Sequence, residues 1–115
     1  MEPCITFRKP AVKFNAVCLK RLENVDYVLF IICSSEKRLI IEPCESYERD
    51  AIRWSGMNPD KRTPKTITCH EFYRRIINHM QWNDDYRYIV FGKITAGNNG
   101  KDVIVFDLNS FHEHI

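Results

Sequence analysis

"AVKFNAVCLKRLENVDYVLFIICSSEKRLIIEPC", residues Ala11–Cys44, holds one whole folding unit. A short pleated run, Ala11–Asn15, ends in an asparagine suited to capping a helix. "AVCLKRL" supplies that helix, and "NVDY" (Asn24–Tyr27) turns the chain into the apolar run "VLFII". The polar turn "SSE" then leads to "KRLII" (Lys37–Ile41). The order is strand, helix, strand, turn, strand, with Val, Ile, Phe and Tyr in the strands as half-buried pleated segments require.

The same order recurs downstream. "KTIT" (Lys65–Thr68) leads into "CHEFYRRIINHM", "NDDY" (Asn83–Tyr86) introduces "RYIVF", and "KDVIV" (Lys101–Val105) follows the turn "AGNNG". Three short matches in the same order point to an internal duplication. Thr68 and Glu71 have capping-box spacing at the second helix start. The expectation is an α+β single domain over 1–115. Unit one spans about 5–44, a linker 45–64, unit two about 65–108 and a flexible tail 109–115, the two units related by a pseudo-twofold.

The chain has 115 residues, 44% of them hydrophobic and 28% charged, with a net charge of +2. Those values describe an ordinary globular domain, and the mild basicity leaves any nucleic-acid role to the placement of charge. The N-terminus lacks the apolar core of a signal peptide. The longest apolar run, Tyr27–Cys33, is far too short to span a bilayer, so no membrane contact is expected. Five cysteines (Cys4, Cys18, Cys33, Cys44 and Cys69) sit inside apolar segments, which fits reduced thiols in a cytoplasmic protein.

Residues 11–44 resemble the AbrB-type swapped-hairpin pattern, in which an N-capped short helix and a turn ending in Asp lie between strands and the hairpin return ends in Pro. The resemblance covers the second half only loosely. Val25 stands where the family has glycine before Asp26, and the second helix is about one turn too long. It implies a small barrel of two interlocked units, carried here in one chain, that binds DNA. The sequence is also similar to short proteins of Gram-positive mobile elements, some of them labelled integrase.

Chemistry argues against a recombinase. Arg74, Arg75, His79 and Tyr86 fall within one helix and the next strand, so they cannot encircle a phosphate. His70-Glu71 begins like a zinc-binding H-E-x-x-H, but Arg74 replaces the second histidine. His70 and His79 lie on opposite sides of a helix, and His112 and His114 alone make no cage, so no metal or other cofactor is expected. Cys69 shares a stripe with Tyr73, Ile76 and Met80 and reads as core. Gly92-Lys93 lacks the preceding glycines of a phosphate loop, and Asp84-Asp85 is turn chemistry. No catalytic residues emerge.

Basic residues remain. Arg8, Lys9 and Lys13 cluster on and before the first strand, and Arg53, Lys61, Arg62 and Lys65 cluster in the linker before the second unit. Under a pseudo-twofold these clusters would occupy equivalent places and present a paired surface to duplex DNA phosphates. Tyr47, Trp54 and Asn58 could add stacking or hydrogen bonds, while Glu48, Asp50 and Asp60 dilute the charge. The expected function is a non-catalytic DNA-binding or regulatory accessory protein. The alternative is a protein-interaction module that uses strand edges or the Trp54 region, and a homodimer would suit such edges.

Overall fold

Alternation of apolar and polar side chains builds most of this molecule. In the computed structural model, which describes residues 1–56, 63–98 and 100–114, the strands are β1 (Cys4–Arg8), β2 (Ala11–Phe14), β3 (Tyr27–Cys33), β4 (Arg38–Cys44), β5 (Ile52–Arg53), β6 (Thr66–Thr68), β7 (Arg87–Ala96) and β8 (Asp102–His114). Two helices, α1 (Ala16–Arg21) and α2 (His70–Met80), complete the chain. All the strands join one antiparallel sheet in the order β5-β3-β4-β8-β7-β1-β2-β6, curled into a half-barrel. Strand accounts for 50% and helix for 16% of the structure.

This corrects the expected α+β class with two strand–helix–hairpin units packed as a pseudo-twofold, AbrB-like small barrel. Sequence periodicity gave the helices the same weight as the strands, yet α1 has only six residues. It also left out β1, which enters the sheet between β7 and β2. Two of the three matched strand pairs are nevertheless neighbours, β2 with β6 through Val12↔Ile67 and β4 with β8 through Ile40↔Val105, whereas β3 and β7 are separated by β4 and β8.

The inward faces carry Ile5, Phe7, Val12, Phe14, Val28, Leu39, Ile41, Tyr88, Val90, Ile104, Phe106 and Leu108, all buried. Helix α2 adds Tyr73, Ile76 and Ile77 to that core, and α1 adds Cys18 and Leu19. Phe14 ties the layers together: its ring centroid lies 5.3 Å from Trp54 and 5.7 Å from Phe30, and Phe30 lies 4.8 Å from Phe72 of α2.

Asn15 caps α1 as expected, its Oδ1 accepting from the Cys18 N–H at 3.2 Å. The Thr68–Glu71 capping box does not form. Thr68 stays in β6, paired with Ala11, so the cap position falls to Cys69, whose side chain makes no capping bond. The linker residue Trp54 is fully buried, its indole N–H donating to Val25 O at 2.7 Å. Residues expected to form a loose tail continue β8 as far as His114. A register irregularity opposite Val90–Gly92 inserts extra residues into β8, closed by Asn109 N–H donating to Asp107 Oδ1 at 3.1 Å. Beyond it Phe111 opposes Val90 and packs on Trp82 and Tyr88, with centroids at 5.2 and 5.6 Å.

Candidate nucleic-acid interface

Because Ile5 and Phe7 face the core, Thr6 and Arg8 of β1 must face outward. The same rule turns Lys13 of β2 outward between buried Val12 and Phe14, and sends Arg87, Phe91 and Lys93 of β7 outward past buried Tyr88 and Val90. Register joins these positions into rows. Thr6, Lys13 and Thr66 are directly opposed on β1, β2 and β6. Phe7 opposes Tyr88, so the following Arg8 and the preceding Arg87 stand at the same end of their strands. Arg8 and Lys13 are about 8 Å apart at Cα, from two residues of rise and one interstrand spacing.

Four consecutive strands, β7, β1, β2 and β6, therefore present Arg8, Lys13, Arg87 and Lys93 and contain no Asp or Glu. The adjoining strands are different: β4 contributes Glu42 and β8 contributes Asp102, Asp107 and Glu113. The sheet is thus divided into a cationic half and a mixed half. Carboxylates approach the cationic half at one corner, where Asp84 and Asp85 share a cleft with Arg8, Lys9 and Arg87, and along its border with β8, where Asp102 opposes Ala96 and Glu113 opposes Tyr88. Threonines 6, 66 and 68 add hydroxyl donors to this face.

The sequence-derived basic set is distributed unevenly. Arg8 and Lys13 lie on this face, and Lys65 immediately precedes β6 beside them. Lys9 sits in the β1–β2 turn and forms an ion pair with Asp84 at 3.3 Å. Arg53, on β5, places its guanidinium carbon 5.7 Å from the Tyr27 ring centroid, and its Nε is buried without a hydrogen-bond partner. A bridge between Ser55 and Pro64, with Gly56 N–H donating to Thr63 O at 2.9 Å, ties the segment after Arg53 to the segment before Lys65. Lys61, Arg62 and Asn58 lie outside the described residues. Tyr47 is exposed, whereas buried Trp54 has no face to offer a base. Arg87 and Lys93 were missed from the sequence, although the spacing Arg87, Ile89, Phe91, Lys93 is the signal that places them on one face.

The residues weighed for chemistry are placed as follows. Burial pushes the Cys69 thiol up to about 11, and its Sγ donates to Ile67 O, so it is not an activated thiolate. His70 opens α2, His79 has a buried unpartnered Nε2, and His112 packs edge-on against Phe91. Among the described residues no group of three His, Cys, Asp or Glu comes together as a metal site. No helix there is long and apolar enough to cross a membrane. No family model, curated protein or solved structure matches the chain.

Proposed function

We propose that this protein is a DNA-binding accessory or regulatory protein acting in the cytoplasm, contacting duplex phosphates through the outer face of β7, β1, β2 and β6. The observation that carries the reading is the segregation of charge: four outward cations on β7, β1 and β2, with no carboxylate in those strands or in the neighbouring β6. Such a surface attracts a polyanion without reading its bases, since phosphate contacts set affinity and orientation.

The test is fluorescence anisotropy with a duplex oligonucleotide across a salt series. Four phosphate contacts give a slope of log K against log salt near −3.6, a loss of about 150-fold between 50 and 200 mM. The double variant Lys13→Ala, Arg87→Ala should reduce the slope to about −1.8 and that loss to about 12-fold. An absence of binding at 50 mM salt, or an unchanged slope in the double variant, refutes the reading.

One observation favours a second reading as a protein-interaction module. On the mixed half of the sheet, Ile31, Ile40 and Val105 form an outward, half-buried apolar row across β3, β4 and β8. A row of that kind suits another protein surface, including a second copy. Light scattering that shows a dimer dissociated by Ile40→Lys would support it.

A further inference from the structure

The two edges of the sheet are not alike. At one, β6 is three residues long and runs almost directly into α2, so it offers little backbone to another strand. At the other, β5 covers β3 only at Tyr27 and Val28, and among the described residues no strand lies beside Leu29–Cys33. Register identifies the backbone groups left over. Trp54 N–H donates to Asp26 O at 3.3 Å, so even-numbered residues here turn their N–H and C=O toward this edge and odd-numbered ones bond β4. Pro43, which has no N–H to give, stands opposite Val28 in keeping with that phase. The N–H and C=O of Phe30 and Ile32 therefore point out of the sheet with no strand to receive them.

Space lies alongside them. A cavity of about 740 Å³ is lined by Leu29, Phe30 and Ile31, by Ile52, and by Phe72 and Arg75 of α2. Phe30 points inward to Phe14, so Leu29 and Ile31 point outward, and a cavity that touches all three lies at the strand's edge. Nothing in β3 guards that edge: "YVLFIIC" has no charged residue, no proline and no break in its register with β4.

The edge is complementary to itself. Its open window, Leu29–Cys33, is centred on Ile31. Two antiparallel copies related by a twofold at Ile31 match Phe30 with the partner's Ile32, and Ile32 with the partner's Phe30. Registers shifted toward Tyr27 run into β5, and those shifted the other way leave the strand for the turn. Charge agrees with this orientation. Cys33 ends beside the partner's Leu29, which brings the hairpin end, Glu36, Lys37 and Arg38, against the partner's Glu48, Arg49 and Asp50 at the entry to β5. The first set carries one net positive charge and the second one net negative charge.

We propose that a second copy of this chain docks on this edge, the two β3 strands pairing antiparallel about Ile31 to join two half-barrels into one continuous sheet. The proposal rests on the interaction-module reading and deepens it by naming partner and surface, but it does not need the outer apolar row. Five residues per strand fall short of a standard interface of about 1,600 Å², so the dimer is weak, with a Kd of about 10 μM to 1 mM.

The experiment is sedimentation of the full chain across a concentration series, joined to amide hydrogen exchange at low and high concentration. A reversible dimer should form, and the Phe30 and Ile32 amides should gain about tenfold protection as it does. Leu29 and Ile31, bonded to β4, should be protected at both concentrations. Ile32→Pro removes a donor the monomer does not use and should weaken the dimer by at least about tenfold. Lys37→Glu, on an exposed side chain, should weaken it several-fold, and adding Glu48→Lys should restore it. Ile40→Lys leaves this pairing intact but would dissociate a dimer built on the outer row, which separates the two. A chain that stays monomeric to about 1 mM overturns the second copy and leaves the edge to a strand of another protein. A dimer whose Phe30 and Ile32 amides stay unprotected, or one unchanged by both Ile32→Pro and Lys37→Glu, overturns the edge pairing alone.

Discussion

Replacing Asn15 by Ala should cost about 2–3 kcal/mol, more than removal of an ordinary helix cap. The side chain does three things at once. Its Oδ1 accepts from Cys18 N–H at 3.2 Å and from Cys4 N–H at 3.1 Å, while its Nδ2 donates to Glu2 O at 3.0 Å. A cap alone is worth about 1 kcal/mol, a second partly buried acceptor bond about another, and the exposed bond to Glu2 less. The same residue thus starts α1 and holds the beginning of β1 against it. Urea denaturation should show the midpoint falling by roughly 1–2 M with the slope unchanged. Asn15→Asp is the discriminating variant, because it keeps both accepting bonds and loses only the donor. It should stay within about 1 kcal/mol of the parent, helped slightly by negative charge at the start of α1. A cost below about 0.5 kcal/mol for Ala, or equal costs for Ala and Asp, would refute the reasoning.

Two further predictions concern packing and protons. A Cβ at Gly92 would stand 2.7 Å from Phe106 Cδ1, 2.8 Å from Cε1 and 3.0 Å from Val105 O, and Phe106 is fully buried; Gly92→Ala should therefore cost about 1–3 kcal/mol by overpacking, measured by thermal unfolding. Burial pushes the Cys18 thiol up to about 12 from 9.0, so above pH 9 the unfolded chain binds fewer protons than the native one and stability falls with rising pH. Unfolding free energies from pH 8 to 11 should decline more steeply for the parent than for Cys18→Ala, and parallel slopes would contradict this.

Local readings of the sequence carried over where the deciding interactions are local. Asn15 caps its helix because the residues it serves are only a few positions away or directly beside it. The Thr68 capping box failed for a long-range reason. Thr68 is held in β6 by Ala11, far away in sequence, and a residue kept in the extended ladder cannot fold back over a helix start. Trp54 looked like an exposed aromatic in a polar linker. Its indole is needed in the core beside Phe14, and the acceptor for its N–H comes from Val25. The tail looked loose because "NSFHEHI" is mostly polar. The extra residues at the irregularity invert the alternation, so that Phe111 turns inward onto Trp82.

Strand order was the largest piece missing from the sequence, and the candidate interface depends on it. Arg8, Lys13, Arg87 and Lys93 belong to three separated segments, and no window of sequence contains them all. Insertion of β1 between β7 and β2 makes them neighbours, and pairing of β4 with β8 moves Glu42, Asp102 and Asp107 to the other half of the sheet. The inward face is filled by the helices and the aromatic cluster, which leaves the outer face as the broad surface a duplex could reach. Had β1 paired at the β5 edge instead, Arg8 would stand apart from Arg87, and the mild net charge of +2 would have no single face on which to concentrate. A weakly basic chain can present a strongly basic surface only when its topology sorts the charges, and here the sorting follows from where one five-residue strand enters the sheet.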